Sequence, residues 1–274
     1  MGKWKAIIGS VLVLCAYAGP AMAQARATPF YGDAGEPAQQ PILEVIKGTQ
    51  LAERMAAVVN TSLTLRSDLH VGFRSCKVAN AFFNPQAREI TICLEFIQLV
   101  AKTAAEDNYY LMKLPREEFS RYVDGAVWSV FLHELGHAVI AINQVPVTGR
   151  EEDVADQFAV WFAVRFVTDA QKRVVEPGVW FWNRLAQTRD PSTFSTEERK
   201  RFMANEHSLD EQRVYNQACW AYGTGTEAGY RVAQRAGLPR ERMQRCDQEW
   251  SKLNTAMTAN FRPQFRVLPL SGRW

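Results

Sequence analysis

The chain is poor in histidine and carries no excess charge of one sign. Only 4 of its 274 residues are histidine, and its 32 lysines and arginines nearly balance 29 aspartates and glutamates, leaving a formal net charge of +3. So small a net charge gives no global electrostatic case for binding nucleic acid or an anionic membrane. With 47% hydrophobic and 22% charged residues, the composition is that of a globular protein and argues against disorder or coiled coil.

Long apolar runs are scarce as well. The clearest one covers residues 6–18, only 13 residues, and follows Lys3 and Lys5. It falls short of the roughly 20 residues that a spanning helix needs. Small residues at Ala21 and Ala23 provide a signal peptidase site. The sequence therefore predicts a signal peptide over 1–23, no membrane-spanning segment after it, and an exported product, periplasmic or secreted.

Cysteine is limited to five residues, and no CxxC pair occurs. Loss of Cys15 with the signal peptide leaves an even number, which in an oxidising compartment predicts two disulfides. Four cysteines allow about three pairings, of which we favour the local one because it closes short loops. A zinc site of four thiolates is the alternative, but it normally uses CxxC pairs. The favoured pairs are Cys76 with Cys93 and Cys219 with Cys246.

Residues 24–41 are rich in alanine, glycine, proline and glutamine, so the sequence predicts a flexible leader there. Internal repeats and low-complexity tracts are absent, and a single domain is predicted over 42–274. Helical periodicity predominates, with one β-hairpin signal, which indicates a mostly helical α+β fold. The hairpin is predicted over 78–83 and 89–93. Capping boxes are predicted at Ser195 and Ser208. Helices are predicted over 42–59, 94–105, 115–142, 151–166 and 239–260, with another from 208 to near 223.

The strongest chemical signal is His-Glu-Leu-Gly-His at residues 133–137. Histidines four apart on a helix differ by about 40° around its axis and about 6 Å along it, so both imidazoles can reach one metal ion. The adjacent Glu134 can act as general base on a water at that metal. The alternative is that both histidines belong to the hydrophobic core and make hydrogen bonds with other protein groups. Gly136 weakens the helix, which suggests a close approach by another element.

A catalytic zinc needs a third protein ligand. A metzincin would carry glycine at 140 and histidine at 143, but this chain has Ile140 and Asn143. Glu152, 15 residues after His137 at the start of the next helix, is the predicted ligand. Asp156, one turn later, is predicted to orient a ligating imidazole. Neighbouring Glu151 and Asp153 are explained by the favourable helix dipole alone.

Several stretches together resemble an uncharacterised family of exported bacterial zinc metallopeptidase-like proteins. They are HELGHAVI at 133–140, GREEDVADQFA at 149–159, and the longer segments 76–96 and 206–223. Glutamate and aspartate following HExxH are also similar to the gluzincins. The resemblance implies a zincin-like core in which the active-site helix, a small sheet and a following helix meet, with zinc as cofactor and a peptide or protein as substrate.

Two further features complete the functional hypothesis of a zinc-dependent metallopeptidase. In gluzincins a distant histidine or tyrosine stabilises the oxyanion of the tetrahedral intermediate, and His207 or Tyr215 could do so here. The strand over 78–83 could pair with an extended peptide, or be an ordinary hairpin strand. The alternatives are an exported, non-catalytic binding or scaffold protein with a zinc site, and a metal-dependent amidase acting on non-peptide or cell-wall amides.

Overall fold

A computed structural model describes residues 24–107, 113–188 and 193–266. The predicted signal peptide, residues 1–23, lies outside these ranges. The described residues are mostly helical and include one small mixed sheet, as predicted for an α+β fold. The sheet and the helices share one large hydrophobic core.

The sheet of the described residues has the strand order β1-β2-β4-β3. Strand β2 is parallel to β1 and β4, while β3 is antiparallel to β4, so the predicted hairpin is confirmed. The central strands β2 and β4 are largely buried because helices cover them, whereas β3 lies at an edge. The strands are β1 (Ala27–Tyr31), β2 (Leu69–Arg74), β3 (Ala81–Asn84) and β4 (Glu89–Cys93).

The flexible leader predicted over 24–41 is wrong. Within it, β1 pairs with β2, and the Asn60 side chain holds both the N–H and the C=O of Ala27 at 2.8 Å. A short 3-10 helix, Pro37–Gln39, and the start of the first α-helix follow. Alanine, glycine and proline dominate the composition of this stretch and obscured the strand, which is stabilised by contacts with residues far along the chain.

Two predicted helices are each divided in two. The helix over 42–59 breaks before Leu51, where Gln50 adopts a left-handed conformation with φ of 52°, and the helix over 239–260 breaks around Arg245. The other predicted helices are confirmed within a few residues. The helices are α1 (Gln40–Gly48), α2 (Leu51–Ser62), α3 (Leu94–Glu106), α4 (Arg116–Asn143), α5 (Glu151–Phe166), α6 (Glu176–Thr188), α7 (Thr196–Met203), α8 (Asp210–Gly223), α9 (Glu227–Arg235), α10 (Arg240–Met243) and α11 (Cys246–Phe261).

Helix α4 runs through the core and packs closely against α5. A Cβ added to Gly136 would lie 3.1 Å from the Cα of Ala155, so the close approach inferred from this glycine is real. By length and composition α4 is the one helix of the described ranges that could cross a membrane, although the sequence analysis expected none. Because 78% of its most apolar window is buried inside the protein, it has the character of a core helix.

Both disulfides have the predicted local pairing, and such cross-links are typical of exported proteins. Cys76–Cys93 joins the loop before the edge strand β3 to the end of β4, and Cys219–Cys246 joins α8 to the start of α11. The Ser195 capping box is confirmed, since the hydroxyl accepts from the backbone of Glu198. The capping role predicted for Ser208 is wrong, because α8 begins at Asp210 with Leu209 as N-cap.

Candidate metal centre

Helices α4 and α5 bring together the residues that the sequence singled out. His133 and His137 project from the same side of α4, and Glu152 lies in the first turn of α5. The approach of α5 at Gly136 places this turn beside the histidines. His133 is 5% exposed, so the inner part of the cluster is withdrawn from solvent.

Three donor atoms form a compact triangle. His133 Nε2 lies 3.1 Å from Glu152 Oε2 and 3.2 Å from His137 Nε2, and the remaining side measures 3.4 Å. A tetrahedral ion with bonds of about 2.0–2.1 Å needs donor atoms about 3.3 Å apart. Two imidazole nitrogens and a carboxylate oxygen also match the ligand types that zinc uses. The residues therefore fit a small divalent metal ion in both spacing and chemistry.

His207 approaches the triangle from a third element, the loop between α7 and α8. Its Nε2 lies 2.9 Å from Glu152 Oε2, and its ring stacks on that of His133 with 6.2 Å between centroids. His133, Glu152 and His207 form a group whose donor atoms all lie within 4.8 Å of one another. The predicted candidate His207 is thus next to the cluster, whereas Tyr215 lines a separate polar depression beside Arg150.

A buried chain of charges extends from the inner histidine. His133 Nδ1 lies 2.9 Å from Asp156 Oδ1, as predicted for an orienting aspartate. Arg213 donates to both oxygens of Asp156, at 2.8 and 2.7 Å, and its guanidinium stacks 3.8 Å from the ring centre of Trp182. Sequence reasoning missed Arg213, because nothing in the local pattern of α8 marks it as a partner of α5.

These contacts determine the protonation of the inner cluster when no ion is bound. Burial by itself lowers the pKa of His133, but hydrogen bonds with Asp156 and Glu152 outweigh it and raise this pKa to about 9. Burial opposes ionisation of Asp156, yet Arg213 and His133 hold the pKa of its carboxyl below the usual range. The pKa of Glu152 is likewise lowered against burial by the three surrounding histidines. Metal ions must therefore displace protons from the imidazoles.

The outer histidine has an orienting carboxylate of its own. His137 Nδ1 lies 2.7 Å from Glu151 Oε1, and the Glu151 side chain is 46% exposed. Asp153 accepts a hydrogen bond from Ser208 at 2.6 Å. The explanation of Glu151 and Asp153 by the helix dipole alone is therefore wrong. The excess of acidic residues at the start of this apolar helix indicated that some of them have specific partners. The sequence alone does not show which carboxylate contacts which partner.

The cluster opens into a cleft of about 280 Å³. His133, Glu134 and His207 line it on one side, and Ala81 of the edge strand β3 lines it as well. Glu134 is only 7% exposed, so this lining residue is largely sheltered from solvent. Most of the remaining wall is apolar and aromatic, formed by Phe96, Leu99, Val130, Phe181, Trp182, Leu185, Phe202 and Leu209.

The fold and the site together define a mostly helical α+β protein with a histidine–glutamate cluster able to hold a metal ion. The model of the family DUF4344, described as "Putative metallopeptidase", matches residues 31–259. The match covers most of the chain, so the chain belongs to this family. No curated protein and no solved structure matches it significantly.

Proposed function

We propose that the protein is an exported, zinc-dependent peptidase of gluzincin type, with His133, His137 and Glu152 as metal ligands and Glu134 as general base. The observation that carries the proposal is the triangle of donor atoms with sides of 3.1, 3.2 and 3.4 Å beside a sheltered glutamate in an open cleft. Membership in the metallopeptidase family supports it independently.

The chain's own residues would divide the work of hydrolysis among them. A bound zinc ion would supply Lewis acidity, polarising a carbonyl and lowering the pKa of a water to about 7. Glu134 takes the proton of the attacking water and returns it to the leaving amine, so the same carboxylate serves as base and then as acid. His207 donates a hydrogen bond to the developing oxyanion. Asp156 and Glu151 hold the two ligating imidazoles in orientation.

Substrate binding is proposed along the edge strand. Strand β3 pairs with β4 on one side and is the edge of the described sheet on its opposite side, and its first residue, Ala81, lines the cleft. An extended peptide laid against that side would form main-chain hydrogen bonds, as in β-augmentation. The aromatic wall then offers room for a large apolar side chain next to the scissile bond.

A second function is favoured by the position of His207. Its Nε2 lies 2.9 Å from Glu152 Oε2, in a donor group that also contains His133. If it coordinated beside the three proposed ligands, the site would have four protein ligands, which is typical of structural zinc rather than catalytic zinc. In that case the protein would be an exported binding or scaffold protein. Anomalous scattering at the zinc edge distinguishes the two: three protein ligands support the peptidase, and a fourth from His207 supports the scaffold.

The test of the peptidase is a peptide-library digest with wild type and Glu134→Gln, each with and without a chelator. We expect cleavage by wild type, its loss on chelation and its recovery with zinc. Glu134→Gln should bind zinc normally and lose hydrolysis by a factor of at least about 10². Glu117→Gln, an exposed glutamate earlier on the same helix, is the matched control. Turnover retained by Glu134→Gln would exclude this mechanism.

A further inference from the structure

The serine next to His207 is used for something other than helix capping. Its hydroxyl donates to Asp153 Oδ1 at 2.6 Å and accepts from Arg150 Nη2 at 2.8 Å. Arg150 and Asp153 are themselves paired at 3.0 Å, which closes a ring of three polar groups. Ser208 is 9% exposed, so both hydrogen-bonding roles of its hydroxyl are used in a sheltered position.

This ring attaches the His207 loop to the turn of α5 that presents Glu152. Arg150 and Asp153 flank that glutamate in sequence, so the ring fixes the spacing between His207 and the donor cluster. The ring of His207 itself is held at both nitrogens, by Asn205 Oδ1 at 3.1 Å and by Glu152 Oε2 at 2.9 Å.

The segment before the loop offers little other support. Helix α7, which precedes it, has no buried residue, although its Phe202 lines the cleft. A surface helix with so little packing cannot by itself hold a side chain to a fraction of an ångström. The polar ring with α5 therefore anchors the loop, in addition to the contacts that the His207 ring makes with Asn205 and Glu152.

We propose that Ser208 is a positioning residue that, through Arg150 and Asp153, latches His207 against the metal centre. The catalytic part of this inference rests on the peptidase function proposed above, whereas the latch itself concerns only the placement of His207. Ser208 does not touch the reacting atoms and acts through His207. Because Leu209 and not Ser208 is the N-cap of α8, the Ser208 hydroxyl serves Asp153 and Arg150 instead of the end of the helix.

The kinetic test compares Ser208→Ala with Ser208→Thr, which keeps the hydroxyl, and with Ser251→Ala, an exposed serine on α11, as control. We expect Ser208→Ala to lower kcat about tenfold with KM and bound zinc unchanged. Ser208→Thr should restore most of kcat, and Ser251→Ala should match wild type. In a His207→Ala background, Ser208→Ala should cost nothing further. An equal loss in that background would overturn the proposal, because the serine would then not act through His207.

A second readout needs neither metal nor turnover. The chain has only 4 histidines, so the ring Cε1–H signals of the metal-free protein can be assigned by substitution. Ser208→Ala should shift the His207 signal and leave that of His70, which contacts Thr28 on the sheet, in place. An unmoved His207 signal would overturn the latch. A moved signal supports the latch even if wild type cleaves no peptide, an outcome that would contradict the proposed function alone.

Discussion

The two histidines proposed as metal ligands have the same kind of partner in different surroundings. Each places Nδ1 against a carboxylate, at 2.9 Å for His133 with Asp156 and 2.7 Å for His137 with Glu151. Asp156 is buried and also held by Arg213, whereas the Glu151 side chain is 46% exposed. Because water weakens interactions between charges, the buried contact should be stronger than the exposed one although their distances are similar. The inner half of the centre should determine metal affinity and the outer half should only adjust it.

The largest contrast is expected between the two Arg–Asp pairs that involve aspartates of α5. Arg213→Met removes the guanidinium from buried Asp156, which then keeps only His133 as a charged partner, and should lower the free energy of unfolding by about 3–5 kcal/mol. Arg150→Met breaks the largely exposed pair with Asp153 and should cost about 0–1 kcal/mol. Urea unfolding of the metal-free proteins with disulfides intact measures both. Equal losses would contradict the distinction between inner and outer contacts.

The next largest difference between the inner and outer contacts should be in their effect on zinc affinity. Asp156→Asn removes the charge that orients His133 and should raise the zinc Kd about 100-fold, the upper end for such contacts. Glu151→Gln should raise it only about threefold, because the pair is partly solvated. Competition with a chromophoric chelator at one pH gives both values. Circular dichroism checks that each variant is folded, and a Glu151→Gln effect as large as that of Asp156→Asn would refute the ranking.

The stability of the metal-free protein should depend on pH through the inner histidine. The pKa of His133 is raised to about 9, so its contribution is complete below its unfolded pKa of about 6.5 and is lost as the pH rises through about 9. We expect the free energy of unfolding to fall by about 3 kcal/mol over that window. Zinc affinity should rise over the same window, since fewer protons compete.

The matched control for this pH dependence is Asp156→Asn, which removes the carboxylate charge that helps to raise the pKa of His133. Its stability should change much less between pH 6.5 and 9. A slope equal to that of wild type would assign the dependence to other groups.

The smallest effect expected is that of salt. Raising NaCl from 0.05 to 0.5 M shortens the Debye length from roughly 14 Å to about 4 Å, which screens exposed charges and leaves buried ones nearly unchanged. The threefold effect of Glu151→Gln on zinc affinity should therefore vanish at high salt, while that of Asp156→Asn persists. Titrations at both salt concentrations test this, and loss of the Asp156→Asn effect would show that the inner contact is open to solvent.

The parts of the molecule that the sequence predicted are those determined by local pattern. Helices α4 and α5 follow from apolar periodicity, and the cluster of His133, His137 and Glu152 follows from spacing along two consecutive helices. The two disulfides and the hairpin were also predicted correctly, because in each of them the partners lie close together in the sequence.

The parts that the sequence missed depend on contacts between distant residues. Arg213 meets Asp156 across 57 positions, and β1 meets β2 across about 42. Ser208 is the clearest case, because its S-x-x-E pattern is genuine but its hydroxyl binds Asp153, 55 positions earlier. The local preference of a serine for helix capping is overridden where a residue distant in sequence offers its hydroxyl a more buried hydrogen bond.

Gly136 has a consequence for which ions the centre can accept. With a hydrogen in place of a side chain, it lets the backbone of α5 come so near that an added Cβ would lie 3.1 Å from the Cα of Ala155. The position of Glu152 beside the two histidines thus depends on a residue that has no donor atom of its own. An alanine there would push Glu152 outward by a few tenths of an ångström, and selectivity would shift toward larger cations with longer coordination bonds.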